Sequence, residues 1–317
     1  MKKLRILILF DTDADPPAGQ DYSRQIESAD EAEFDVARAL RSQGHEVRLC
    51  GFRNDLDTLI AGLRAEPVDA VFNLSERFRN QSGLDYGVAA LMDMLDMPYT
   101  GASAEGLMLA RNKALTKMVL AYQGLRIPHF FVCPLGQPVQ RPSDVRFPLI
   151  VKPLDEDASV GIAQRSVVHD DPALTERVAF IHTRHNTAAI VEEFIAGREL
   201  YVGVIGNDPP RALPPIEMVF GQDATEENRI ALDLSKELRE RLAEVAVRTY
   251  QAAGLRDYGR IDVRLAHDDE IYIVEANPNP YLADGEDLAW AAEEGGQPYP
   301  QLIEKIAELA ASRGRKA

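Results

Sequence analysis

The chain has 317 residues, 45% hydrophobic and 27% charged, which is enough for two or three domains with cores of their own. Its 51 acidic residues against 35 basic ones leave a net charge of −16, which excludes nucleic acid and anionic membrane as general partners, since both need a basic surface. Two cysteines, Cys50 and Cys133, are too few for a disulfide or zinc framework and fit a cytoplasmic setting.

Residues 6–10 form a continuous apolar run, as expected of a parallel strand covered on both faces. The run stops at Asp11 with no small-residue cleavage site after it, so it reads as a strand and not a secretion signal. No run approaches the length of a membrane span. Ser28 and Glu31 have the spacing of a capping box for a helix reaching about residue 43, with Phe34, Ala37 and Leu40 inward and Gly44 as the stop. Strands over 46–50 and 68–74 and helices over 55–64 and 84–95 continue a β-α-β-α-β alternation. That alternation predicts an open parallel sheet with ligands at the carboxyl ends of its strands. A Gly-x-Gly-x-x-Gly run is missing after the first strand, so a dinucleotide is not supported.

From residue 111 the pattern changes. A helix over 112–122 leads into strands over 130–133 and 147–152, the second ending on Lys152 before a loop of acidic and small residues over 154–161. Pro172 opens another helix, and strands over 189–194 and 199–205 follow. An amphipathic helix over 235–254 turns Leu238, Leu242 and Val245 inward, and a closing helix over 300–311 does the same with Leu302, Ile306 and Leu309. The division reads as three lobes: 1–110, 111–197 and 198–317.

The stretch 259–280 concentrates the most chemistry. Period-two alternation runs on both sides of the polar residues 267–270, as in two strands joined by a hairpin loop. Such a hairpin sets Asp262 opposite Glu275 and Arg260 opposite Asn277 on one face. Ile261, Val263, Leu265, Tyr272 and Val274 then make the core face. Opposed carboxylates repel, whereas two carboxylates and an amide oxygen around one point suit a hard cation such as Mg²⁺. Chance opposition among many acids is the plain alternative.

Lys152, half embedded, needs an anion. A phosphate serves, and so do Asp155 or Asp157 with the lysine stem lying along apolar surface. Lys113 opens a helix, where the dipole disfavours a cation unless an anion is close; otherwise it is a solvated surface lysine. Val191-Glu192-Glu193-Phe194-Ile195, followed by Gly197-Arg198-Glu199, is a strand running into a turn. Its backbone can meet an adenine edge with Phe194 or Ile195 beside the ring, and Glu199 lies within reach of a ribose hydroxyl. Neither a metal-ligand spacing of histidines nor a Gly-x-Ser-x-Gly nucleophile motif is present.

In order and spacing, four groups of residues together resemble the ATP-grasp ligases. They are Arg111-Asn112-Lys113; Ile150-Val151-Lys152-Pro153 with Ala158-Ser159-Val160-Gly161; residues 192–199; and Arg260-Ile261-Asp262 with Glu275-Ala276-Asn277. Met97-Pro98-Tyr99-Thr100-Gly101 adds a resemblance to the D-alanine–D-alanine ligase branch. The resemblance spans roughly residues 70–310. It implies a three-lobed α/β fold: an N-terminal open parallel α/β domain and two α+β lobes clasping ATP. It makes Lys113 and Lys152 phosphate ligands, Ser159 a further ATP contact, Glu192, Glu193, Phe194 and Ile195 the adenine hinge, and Glu199 the ribose contact. Asp262, Glu275 and Asn277 become ligands of Mg²⁺ (or Mn²⁺). Arg260 becomes the arginine that stabilises the acyl phosphate and the tetrahedral intermediate.

The activity implied is ATP-dependent joining of a carboxylate to an amine, on amino-acid or peptide substrates, in a cytoplasmic homodimer. The alternatives are the same mechanism on other amino acids or a peptide acceptor, and an ATP-binding module without ligation. The sequence departs from the D-alanine branch in four places. Ala158 stands where those enzymes carry a serine, the region 211–234 is shorter than their loop over the site, Pro278-Asn279-Pro280-Tyr281 stands where they have Thr-Ser-Pro-Gly, and Glu286 falls near a serine that holds the second substrate's carboxylate. An acid at that last place repels a carboxylate unless it is protonated or turned away.

Overall fold

The computed structural model describes residues 3–14, 16–17, 19–29, 31–155, 166–220, 226–230 and 233–314. Strand β1 (Arg5–Asp11) is followed by α1 (Ser23–Ser28), α2 (Ala32–Ser42), β2 (Glu46–Phe52), α3 (Leu56–Arg64), β3 (Ala70–Asn73), α4 (Asp85–Met94), α5 (Ala104–Arg111) and α6 (Lys113–Tyr122). The strands form a parallel sheet in the order β2-β1-β3, as the alternation predicts. The unbroken apolar run of β1 has its cause in two cores. Leu7 and Leu9 pack with Leu59, Leu63, Val88 and Met92 on one face, while Ile6, Ile8 and Phe10 pack with Phe34, Leu40, Leu302 and Ile306 on the other.

The capping box expected of Ser28 and Glu31 does not form. Ser28 caps nothing: it ends α1, its hydroxyl donating back to the Arg24 carbonyl, and Ala29 turns extended. The longer helix starts after Glu31, which sits at its N-cap without a side-chain bond. Phe34, Ala37 and Leu40 are nevertheless buried.

The middle of the chain supplies β4 (Phe130–Cys133), β5 (Leu149–Pro153), β6 (Val167–Val168), α7 (Asp171–His185) and β7 (Ala189–Glu193). These strands form an antiparallel sheet in the order β4-β7-β5-β6. Leu149, Val151, Ala189 and Val191 pack on Leu174, Val178 and Ile181 of α7. By strand parity Ile150, Lys152, Ile190 and Glu192 occupy the opposite face.

The remainder builds β8 (Gly197–Ile205), β9 (Arg211–Ala212), β10 (Ile216–Phe220), β11 (Glu226–Ile230), α8 (Lys236–Ala252), β12 (Tyr258–Ala266), β13 (Ile271–Asn277), α9 (Asp287–Glu294) and α10 (Tyr299–Arg313). Its sheet runs β11-β10-β8-β12-β13, with β9 on the side of β8. Ser235 caps α8, its hydroxyl accepting from the Leu238 N–H at 3.1 Å. Leu238 and Leu242 are buried as expected, but the third inward position is Ala246; Val245 is half-buried, as is Leu309 on α10.

Helix α10 returns to pack on α2 and β3, so the end of the chain closes over the first sheet. Asp257 pins that return. Fully buried, it accepts from Arg313 at 2.5 and 2.7 Å, from the Gly101 N–H at 3.0 Å and from Asn207 at 2.9 Å. Three charge-assisted or amide donors on one carboxylate repay the cost of its burial.

Candidate active site

The floor of the site is the β12–β13 hairpin. Arg260 pairs with Asn277, Ile261 with Ala276 and Asp262 with Glu275, as the alternation predicts. After Asp262 the register shifts: Val263 pairs with Ile273, which leaves Val274 as the extra residue of a β-bulge. One inserted residue reverses the parity of everything beyond it. The core face of β13 is therefore Ile271, Ile273 and Ala276, all buried, while the expected Tyr272 and Val274 are only half-buried. The bulge also turns the Val274 carbonyl to a new partner, the Lys117 ammonium, at 3.0 Å.

Arg260 is held on three sides. Nε and one terminal nitrogen donate to the two Asp262 oxygens at 2.8 and 3.0 Å, the other terminal nitrogen donates to Asp287 at 3.3 Å, and the guanidinium lies over the Tyr201 ring at 4.1 Å. Burial pushes the Asp262 carboxyl up to about 6 against the pull of Arg260, and Glu275 adds to the rise. Glu275 goes the other way. Burial would raise it, but Lys113, whose ammonium stands 3.1 Å from its Oε1, and Lys152 hold it below the ordinary range. Lys113 is 6% exposed, so it is not the solvated surface lysine of the alternative reading.

A second tier lies on the central sheet. Lys152 and Lys117 both face Oε2 of Glu192, at 3.6 and 3.3 Å, and all three side chains are buried. Glu192 is held low by the two lysines despite its burial. Its Oε1 is buried and has no hydrogen-bond partner among the described residues, which marks an acceptor position a ligand donor can fill. Lys152 thus finds its anion in Glu192 and not in Asp155, which accepts from Thr187 at 3.0 Å.

The structure joins Lys113, Lys152, Glu192, Arg260, Asp262 and Glu275 in one network, with Asn277 on the next rung of the hairpin. Glu199 belongs to its edge, paired with Arg264 at 2.5 Å and accepting from the Tyr201 hydroxyl at 3.4 Å. Phe194 lies beneath the Arg264 guanidinium at 5.4 Å and Ile195 is half-buried beside it. The Glu193 carboxylate points elsewhere and accepts the Arg146 N–H at 2.9 Å. Ser159, with Ala158 and Asp157, lies outside the described residues.

Among the described residues no three of His, Cys, Asp and Glu cluster as a metal site. A cation here depends on the amide oxygen of Asn277 and on ligand oxygens. The donor set still fits Mg²⁺: oxygens alone, two of them on facing carboxylates whose mutual repulsion a divalent cation removes.

A family model described as D-ala D-ala ligase C-terminus matches residues 119–308. The chain belongs to the D-alanine–D-alanine ligase family. A protein named D-alanine–D-alanine ligase from Desulforudis audaxviator is 30% identical over 291 residues, covering 88% of this chain and 92% of its own. An uncharacterized protein of Sinorhizobium fredii is 31% identical over 297 residues, covering 88% and 87%. The crystal structure of D-alanine–D-alanine ligase from Bacillus anthracis complexed with ATP superposes with a TM-score of 0.79 over 99% of both chains at 20% identity. The architecture is accordingly the ATP-grasp α/β fold.

Two residues of this family member escape the sequence reading. Lys117 is one, although a signal exists: it follows Lys113 by one turn, on the face of α6 that buries Leu120. Asp287, the third anchor of Arg260, is the other. Glu286 beside it is exposed at the N-cap of α9. Glu27 and Glu31 are both exposed at the α1–α2 junction. Within 211–234, β10 and β11 pair antiparallel, a pairing that the sequence pattern does not announce. No helix among the described residues is long and apolar enough to cross a membrane.

Proposed function

We propose that this chain is an ATP-dependent carboxylate–amine ligase working through an acyl phosphate, with lobes over 1–110, 111–197 and 198–317. The observation that carries the reading is the convergence of Lys113 and Lys152 on Glu275 and of Arg260 on Asp262, the two carboxylates that face each other across the hairpin. A substrate carboxylate oxygen attacks the γ-phosphorus and ADP leaves; an amine then attacks the acyl carbon and inorganic phosphate leaves. Negative charge crowds both steps. Lys113 and Lys152 meet it at the phosphates, and Arg260, its fork fixed by Asp262 and Asp287, meets it at the acyl phosphate and the tetrahedral oxyanion. Mg²⁺, held by Asp262, Glu275 and Asn277, would supply charge neutralisation at the phosphate oxygens. The Glu192–Ile195 segment and Glu199 take the adenosine, with Ser159 as a further ATP contact. No covalent enzyme intermediate is needed, in keeping with the missing nucleophile motif. A cytoplasmic homodimer completes the proposal, on the family resemblance alone.

A specific observation favours an acceptor other than D-alanine. Glu286 stands next to the anchor of Arg260, and Tyr281 lies between acids: burial raises its hydroxyl, with Glu33, Glu286 and Asp35 adding. Burial likewise raises the half-buried Glu33, with Glu31, Asp11 and Glu76 adding. Acids gathered about Tyr281 and beside the anchor of Arg260 disfavour a free carboxylate there and favour an ammonium group.

Phosphate release from Mg²⁺-ATP, screened over single amino acids and pairs with D-alanine included, tests both readings. Release dependent on a pair, with the amide found by mass, is the expected result, and a pair bearing a cationic side chain is expected to exceed D-alanine. Release with D-alanine alone at full rate overturns the second reading. Phosphate transferred to a hydroxyl, with no amide, overturns the first.

A further inference from the structure

Lys117 has no task in the chemistry above, yet it is 2% exposed and burial pushes its amine below the ordinary lysine range, with Glu192 opposing and Lys152 adding. Its pairing with Glu192 is one that it shares. Glu192 already faces Lys152, and a second ammonium on the same oxygen repels the first. What Lys117 reaches and Lys152 does not is the Val274 carbonyl, on the bulged residue directly before Glu275. One turn earlier on the same helix, Lys113 grips the Glu275 carboxylate. Helix α6 therefore holds residue 274 by its main chain and residue 275 by its side chain, while Lys117 stays tied to Glu192 on the other sheet.

We infer that Lys117 is a positioning residue which couples the nucleotide tier of the central sheet to the metal strand of the C-terminal sheet. The inference rests on the Mg²⁺-ATP reading given above. Shifting Glu192 on nucleotide binding moves the ammonium that sets the bulge, and the bulge sets the direction of Glu275. Bulges next to reactive sites re-aim side chains in this way. A lysine that merely filled space would be replaceable by methionine without effect on residues 275–277, since Lys152 remains to pair with Glu192.

Lys117→Met and the isosteric Glu192→Gln test this, with two readouts. In nucleotide-free protein, hydrogen exchange at residues 275–277 is expected to speed up roughly tenfold or more in Lys117→Met, the scale of one lost hydrogen bond to a charged group, while β1 stays unchanged. Titration of ATP with and without Mg²⁺ is expected to show that the tightening due to Mg²⁺ falls about tenfold in the same variant and less in Glu192→Gln. In folded Lys117→Met, unchanged exchange at 275–277 or an unchanged Mg²⁺ effect overturns the coupling. If that variant lacks a cooperative melt, Glu192→Gln decides by the same two readouts. If the parent binds no ATP, the Mg²⁺-ATP reading falls, and the exchange readout alone decides whether Lys117 holds the bulge.

Discussion

Arg260→Lys lowers the rate of amide formation about 10³-fold while ATP affinity stays within about threefold, magnitudes set by the loss of transition-state donors and of an arginine clamp on phosphoryl transfer. The lysine keeps the positive charge beside Asp262, so the buried carboxylate is not stranded. What it loses is the fork: two parallel bonds to Asp262 with a further bond to Asp287, which together aim the remaining N–H groups. A point charge on a flexible stem cannot hold that aim. Arg260→Met is the less useful variant, since removing one partner of a buried pair costs roughly 3–5 kcal/mol of stability and mixes unfolding with lost catalysis. Single-turnover formation of the amide, with ATP binding measured separately, checks the expectation. A rate within about tenfold of the parent would remove Arg260 from the chemistry.

Asp262→Asn and Glu275→Gln each abolish Mg²⁺-dependent ATP turnover to about 10⁻³ of the parent, and the Mg²⁺ needed for half-maximal activity rises about 100-fold, in line with losing an anionic ligand of a hard cation. Stability separates metal loss from unfolding. Burial raises the Asp262 carboxyl to about 6, so its charged form is disfavoured in the metal-free fold, and an amide there removes that penalty. The sign is clear: a carboxyl whose folded pKa lies above its unfolded one opposes folding at neutral pH and ceases to do so as the pH falls below the unfolded pKa. Asp262→Asn relieves that penalty but leaves the buried Arg260 with Asp287 as its remaining carboxylate, so the metal-free variant should lose less stability than Glu275→Gln while its turnover collapses as far. Glu275 has the opposite sign, since Lys113 and Lys152 hold it below the ordinary range, and Glu275→Gln should lose stability along with activity. Mg²⁺ titrations and thermal melts in chelator check both. Turnover that survives in either variant with the same Mg²⁺ requirement contradicts the assignment of the cation to this hairpin.

How much of this was legible in the sequence depends on which periodicity carries the information. The hairpin was legible because period two, a polar loop and two facing carboxylates sit in one stretch, and Asp262 does pair with Glu275. The bulge was not, because a single inserted residue leaves the alternation intact on each side and shifts only its phase; that shift alone takes Tyr272 and Val274 off the core face. Short helices left little trace. Neither α5 nor α9 is longer than eight residues, too short for an apolar period to stand out. At Ser28 the capping signal was real chemistry used differently, since its hydroxyl finds a carbonyl behind it and not an N–H ahead. Little in the sequence marks Lys117 beyond its place one turn after Lys113, because lysines are mostly exposed, and only the fold, which brings Glu192 and Val274 to it from two sheets, reveals why this one is buried.

The most direct measurement of the acyl-phosphate route is an isotope transfer. With the substrate carboxylate labelled with ¹⁸O, the oxygen that attacks the γ-phosphorus leaves with phosphorus, so one labelled atom is expected in the released phosphate for each amide formed. Amide formed alongside unlabelled phosphate would contradict the route.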